Sequence, residues 1–331
     1  MRKRKLFLYL FIVFIAVLAG CAKGNKDADN KEKITIGYFP NINHVAGMVA
    51  EEEKMYESEM PNGIKVEYQY FPDGSAFMTA LETGEIEGGL VGPGPAMNHF
   101  ASGAKINIVA GGSTGGTVIM ARNKAGIESP KDLANKTFIS PRVGCTHNVQ
   151  FEAQMKKEYN LTSDRVQGKM KHVTGKPATY HSMFISEKID VATVPEPWAS
   201  VIEAEGSGKV LIDTPEVAWG EILPAAVYVT SQDLAKNNQE LVQHMVNAHQ
   251  QATAFIQDNP EKAKTIAIKK IADITEQKLS KQVIDKAWKR IDFTSEVDSD
   301  VLQDFSNASY DLEFLKDKPN LKGLVDTQFL Q

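Results

Sequence analysis

The sequence predicts an α/β fold in two units with a helical tail, and three observations carry that reading. Short apolar runs alternate with helical segments from Lys33 onward, the pattern of strands and helices packed in layers. Beyond Lys124 the alternation restarts, as if a second unit were inserted into the first. After Thr230 the chain reads as almost continuous helix. Pattern alone leaves one alternative open, a single continuous sheet.

Taken in order, residues 34–39 form the first predicted strand and 45–58 a helix. Residues 64–71 alternate with a period of two, as a half-buried strand does. A helix over 75–83, a strand over 88–91 and a helix over 95–102 follow, then strands over 106–110 and 117–121. In the second unit Ser129 caps a short helix that Pro130 opens. Strand 137–139, helix 148–159, strand 167–173, helix 177–186 and strand 190–194 continue it. Strand 225–230 precedes helices over 239–257, 260–270, 275–288 and 297–315. The expected division is 33–121 plus 229–331 for lobe I and 122–228 for lobe II. Segments near 118–124 and 225–230 are expected to cross between them as a hinge.

The N-terminus reads as an export leader over residues 1–20. Arg2-Lys-Arg-Lys5 precedes an apolar stretch over 6–19, shorter than the about 20 residues a membrane-spanning helix needs. An uncleaved anchor is the alternative. Leu18-Ala-Gly-Cys21 resembles the lipobox of bacterial lipoproteins, which implies lipid on Cys21 and a place at the cell membrane, on its extracytoplasmic face. Residues 21–32, rich in Lys, Asp and Asn, suit a solvated tether. Loss of the leader takes the formal charge from −5 to −9. No basic stripe is present, which argues against nucleic acid as a partner. Cys145 is then the remaining thiol, and one cysteine makes no internal disulfide.

The segment 84–96, Gly-Glu-Ile-Glu-Gly-Gly-Leu-Val-Gly-Pro-Gly-Pro-Ala, is the most unusual local feature. It reads as a strand, a tight turn and a helix start, because Pro93 and Pro95 end the ladder and Pro95 suits a first helical turn. A helix start offers unpaired N–H groups and a positive dipole end, and glycine admits a ligand close to the backbone. A purely structural turn fits the same residues. Three other predicted strand ends resemble it: 39–44 with Asn41, Asn43 and His44, 111–117 with Ser113, Thr114 and Thr117, and 140–147 with Gly144, Cys145, Thr146 and His147. Ligands collect outside the carboxyl ends of strands in open α/β sheets. Facing loops from two units would form a cleft.

Residues 34–39, Phe71-Pro-Asp-Gly-Ser-Ala, Ala80-Leu-Glu-Thr-Gly-Glu-Ile-Glu-Gly-Gly, Gly92-Pro-Gly-Pro-Ala and Asp132-Leu-Ala-Asn-Lys resemble the solute-binding proteins of ABC importers for sulfonates, taurine and nitrate. The run from Met183 to Trp198 resembles that family's second signature, leading into a Glu-Pro turn. The likeness covers about residues 33–230. It implies a two-lobed periplasmic-binding-protein fold of type II, closing on a small ligand and delivering it to a permease and its ATPase. Carried over by position, the ligand contacts are Asn41, Asn43, His44, Gly92, Gly94, Pro95, Ser113, Thr114, Thr117, Gly144, Cys145, Thr146, His147, Glu196 and Trp198. An aliphatic sulfonate or a taurine-like solute is the expected ligand. Nitrate and a pyrimidine- or riboflavin-type heterocycle are the alternatives.

The residues also admit plainer roles. His44 and His147 are expected as neutral donors or as capping histidines, and His99 is a further candidate contact. Cys145 could be acidified at a helix start or simply line the cleft. Trp198 suits a flat ligand wall or lobe core. Glu196 would repel an anion and is expected to accept from a hydroxyl, an amine or the opposing lobe. His244 and His249 lie about 140° apart around a helix at about 100° per residue, and no HExxH or paired-cysteine motif exists. Neither metal nor cofactor is expected. Ser113 has no GxSxG context and no Ser/His/Asp order stands out, so a receptor is expected and an enzyme on the same scaffold is the distant alternative. The receptor is expected to be a monomer.

Overall fold

The computed structural model describes residues 31–61 and 63–330. The expected leader over 1–20, the lipid site at Cys21 and most of the tether lie outside the described residues. The strands are β1 (Lys33–Tyr38), β2 (Lys65–Tyr70), β3 (Gly88–Val91), β4 (Ile106–Gly115), β5 (Thr117–Arg122), β6 (Thr137–Ser140), β7 (Lys171–Thr174), β8 (Val191–Pro195), β9 (Gly208–Ile212), β10 (Pro224–Ser231) and β11 (Ile291–Asp292). They form two sheets, ordered β11-β4-β10-β3-β1-β2 and β7-β6-β8-β5-β9. In the first sheet β1 runs parallel to β2 and β3, with β10 antiparallel. In the second, β6 runs parallel to β7 and β8, with β5 antiparallel to β8. Each sheet therefore sends three strand carboxyl ends to one edge.

The helices are α1 (Val45–Glu52), α2 (Met55–Glu59), α3 (Gly74–Thr83), α4 (Pro93–Ala101), α5 (Thr146–Tyr159), α6 (Tyr180–Ile185), α7 (Trp198–Ala204), α8 (Gln232–Asn237), α9 (Gln239–Asp258), α10 (Pro260–Thr275), α11 (Lys281–Trp288) and α12 (Ser299–Asp311). The expected helix over 45–58 breaks into α1 and α2 because Lys54 takes a left-handed conformation, φ 55°. Local chemistry starts several of the others. Asp73 caps α3 by accepting from the Ser75 and Ala76 N–H groups, Ser280 caps α11 through the Val283 N–H, and proline opens α4 and α10. Each exchanges an orphan N–H for a partner or removes it. The core is then closed by packing. Ile34, Ile36 and Tyr38 of β1 are fully buried in a cluster with Met245 and Val246 of α9, and each buried isoleucine contributes about 1.5–3 kcal/mol.

The hinge segments differ from the expectation. β5 pairs along its length with β8 and β9, and β10 pairs with β3 and β4. The crossings therefore fall at 115–117 and 213–223, outside 118–124 and 225–230, and the boundaries expected at 121/122 and 228/229 shift with them. Gly115 and Gly116 make the first crossing at φ 77° and 72°, a region that favours glycine. The Gly116 N–H donates to the Arg290 carbonyl at 2.7 Å, and the Glu196 N–H donates to the Gly116 carbonyl at 2.9 Å. Thr214 ties the crossings together, its hydroxyl donating to the Thr117 carbonyl at 2.9 Å.

The small-residue segment 111–117 is not the expected loop. β4 continues through it to Gly115. Gly111 donates its N–H to the Ser295 carbonyl at 2.8 Å, and a Cβ there would lie 2.2 Å from the Glu296 carbonyl oxygen. The glycine serves a close approach of chain to chain.

Candidate ligand-binding cleft

The carboxyl ends of β1, β2 and β3 face those of β6, β7 and β8 across a cleft of about 480 Å³. From the first lobe come Asn41, Asn43 and His44 after β1, the 70–74 segment after β2, and Gly92 and Pro95 after β3. From the second come Arg142, Cys145, Thr146 and His147 after β6, the 176–179 segment after β7, and Pro195 and Trp198 at the end of β8. Trp198 is 4% exposed and belongs to the core cluster as well, so it walls the cleft and packs the lobe at once.

The turn after β1 is held on several sides. Asn41 accepts the Asn43 N–H on its side chain at 3.0 Å, and the Asn43 carbonyl accepts from Ser113 at 2.9 Å. Asn43 and His44 are 2% and 4% exposed, and Asn43 Oδ1, His44 Nδ1 and His147 Nε2 have no hydrogen-bond partner in the protein. Burial, with the nearby His147, lowers His44 to about 3. Burial alone lowers His147 to about 4. Both rings are therefore neutral at neutral pH. Burial pushes the Cys145 thiol up, so the acidifying effect of a helix start does not prevail there.

Several expected contacts stand away from the cleft wall. The Gly94 N–H donates to Thr146 Oγ1 at 3.1 Å across the lobes. Pro93 and Pro95 carry no N–H, so the start of α4 has no ready set of free donors for an anion. Gly144 is occupied by Asn98 Nδ2, which donates to its carbonyl at 3.0 Å, and by Asn148 Oδ1, which accepts its N–H. Ser113 is spent on Asn43, and Thr117 donates to Gln150 Oε1 at 2.8 Å. Thr114 sits within the β4 ladder, opposite Pro224 and Asp292. Glu196, fully buried, accepts from the Ser200 N–H and hydroxyl, each at 3.0 Å. It also pairs with Arg290 at 2.6 Å. It is a structural ion pair between β8 and the segment after α11. His99, the further candidate, pairs with Glu82 at 2.5 Å and is not among the lining residues.

Other cleft residues escaped the sequence reading. Phe39 lies in the expected 39–44 strand end but was passed over for its polar neighbours, and Tyr70, Phe71 and Asp73 were missed although the strand-end rule applied equally to β2, as were Lys176 and Thr179 after β7. Gln277, which also lines the cleft, follows α10 and donates to the Ala178 carbonyl at 3.0 Å. No local signal announces it. Asp73 and Arg142 meet across the cleft mouth at 3.1 Å. Among the described residues no group of three or more His, Cys, Asp or Glu is arranged to hold a metal ion, and no helix is long and apolar enough to cross a membrane.

The NMT1-like family model matches residues 27–271, which takes in every strand but β11 and most of the cleft residues. The chain belongs to the NMT1-like family. Among relatives, the taurine-binding periplasmic protein of Escherichia coli K12 is 26% identical over 195 residues, 59% of this chain and 58% of that protein. The alkanesulfonate-binding protein of Xanthomonas axonopodis pv. citri, solved bound to MOPS, superposes with a TM-score of 0.75 at 19% identity, over 90% of this chain and 99% of that one. The ligand-binding component of an ABC-type import system from Staphylococcus aureus, solved with zinc, gives 0.73 at 20% identity, over 90% and 98%. At such identities the superpositions show the fold alone. The two-sheet α/β architecture of this NMT1-like chain is the one shared by these binding proteins.

Proposed function

We propose that this chain is the solute-binding component of an ABC importer, holding one small organic solute between its lobes and presenting it to a permease. The observation that carries the reading is the cleft itself. Six strand ends from two sheets wall one cavity, so a solute touching both walls favours the closed arrangement over the open one. Export by the leader, lipid at Cys21 and the tether over 21–32 would hold a monomer at the extracytoplasmic face of the membrane, beside the permease and its ATPase. The proposed role is capture and not catalysis: burial pushes the Cys145 thiol up, which keeps this cleft thiol un-ionised and a poor nucleophile.

Taurine and alkanesulfonates, the ligands named for its relatives, are the first solutes to test. The aromatic walls of Phe39, Tyr70, Phe71 and Trp198 favour a planar heterocycle as a second reading, because flat rings stack on such surfaces. Mass spectrometry of the denatured, purified protein tests the role. A stoichiometric, chemically unchanged small molecule is expected. Turnover products in its place would contradict the proposal.

A further inference from the structure

The carboxyl end of α12 is completed by the other lobe. The helix itself belongs to the first lobe, since Leu302, Phe305 and Leu312 share a buried cluster with Val91 of β3 and with Ala96 and Met97 of α4. Its own turn closes three terminal carbonyls: Ala308, Ser309 and Tyr310 accept from the N–H groups of Leu312, Phe314 and Glu313. Glu313 takes the left-handed conformation common where helices end, φ 61°. The next three carbonyls accept from cations of the second lobe. Lys156 Nζ donates to Asp311 at 2.7 Å. Arg165 donates through Nη2 to Leu312 and through Nη1 to Glu313, the latter at 3.2 Å. Its guanidinium also lies over the Phe314 ring, 3.9 Å from the centroid.

The last turn of α12 holds no basic residue of its own, although the negative end of a helix dipole favours one. Both cations that answer it come from α5 and the segment after it. Arg165 is held from behind by a buried carboxylate, with Glu152 Oε2 at 3.6 Å. Glu152 in turn accepts from the Ser163 hydroxyl at 2.7 Å and from Asn148 Nδ2 at 2.8 Å, and Asn148 accepts the Gly144 N–H at 2.9 Å. The guanidinium is thereby tied to the start of α5.

These contacts continue the seam that parts when the cleft opens. Gly94 meets Thr146 at the cleft, and Asn98, one turn further along α4, meets Gly144. Phe314 flanks the same glycine, where a Cβ would stand 3.5 Å from the phenylalanine ring. None of these residues lies in the chain crossings at 115–117 and 213–223, so the contact is free to break as the lobes separate.

We infer that Arg165 and Lys156 are positioning residues for closure: by capping α12 across the seam they hold the lobes together before a solute arrives. Neither lines the cleft, so they act on every solute alike, through the fraction of protein already closed. Opening returns three carbonyls and two cations to water. Loss of the Arg165 donors alone should move the open-to-closed ratio toward open by about tenfold.

Cys145 lines the cleft from the second lobe, so its rate of modification by methyl methanethiosulfonate in solute-free protein follows the open fraction. Arg165→Gln should raise that rate by about three- to tenfold, and Lys156→Gln should raise it less. Hydrogen exchange in β6 and β8 should stay as slow as in the parent protein, which separates loss of the latch from loss of the fold. An unaltered rate in folded Arg165→Gln overturns the inference, as does a faster rate accompanied by equally faster exchange in both strands. Where Arg165→Gln does not fold, Lys156→Gln decides by the same two readings, because that side chain is exposed. The inference rests on the importer reading for the purpose of closure, yet the assay contains no solute. Failure to recover a solute from the purified protein would remove that reading and leave these rates as they are.

Discussion

His44, His147, His172 and His249 are held neutral by burial, at about 3 for the first and about 4 for the others. In the unfolded chain each would titrate near the ordinary value of about 6.5. Between those values the unfolded state binds more protons than the folded one, so stability is fully present above about pH 6.5 and drains away as pH falls toward 4. The melting temperature should therefore decline steadily between pH 6.5 and 4, while solute affinity stays level from pH 8 to 6. A flat melting curve would show that these rings are not buried neutral. Arg290 offers a second test at this scale. It joins Asp213 at 2.6 Å as well as Glu196, and Arg290→Ala leaves the Glu196 carboxylate buried without its cation. A loss of about 3–5 kcal/mol in urea unfolding is expected. Glu196→Gln should leave solute affinity unchanged, since the side chain faces Ser200 and Arg290; a large affinity loss without unfolding would place Glu196 in the site.

At the scale of elements, the starts of α4 and α5 meet face to face. A Cβ on Gly94 would stand 2.7 Å from the Thr146 nitrogen. Gly94→Val is thus expected to wedge the lobes apart, lowering affinity at least about tenfold and raising the radius of gyration in solution scattering with solute present. An unchanged radius would mean the contact is not part of closure. This is also where the sequence was most and least informative. The proline-glycine turn at 92–95 announced a strand end beside a helix start, because proline ends ladders and opens helices. Its partner was illegible: that the Gly94 N–H meets Thr146 depends on residues 52 positions apart. Period-two and helical patterning located most strands and helices. β4 was read short because Gly111 to Gly115 have loop composition, and their fit against residues 294–296 is nonlocal. Gln277 and Arg290 were missed for the same reason, since a helical tail gives no sign of which side chains return to the cleft or the hinge.

Across the whole molecule, the two lobes are joined by polar contacts on every side of the cleft: Asp73 with Arg142, Gln277 with the Ala178 carbonyl, and Asn98 with the Gly144 carbonyl. The first is an exposed pair worth about 0–1 kcal/mol, so Arg142→Gln should change affinity by a few-fold at most and reduce its salt dependence. A loss of a hundredfold or more would make Arg142 a ligand contact instead of a rim contact. The account depends above all on a solute occupying the space between the lobes, and Cys145 lines that space from the second lobe. Its rate of modification by methyl methanethiosulfonate, followed by mass spectrometry on the peptide that contains it, reads occupancy directly. With a saturating solute the rate should fall at least about tenfold, in proportion to the bound fraction. A rate unaltered by a solute that calorimetry shows to be bound would place that solute elsewhere and contradict the account.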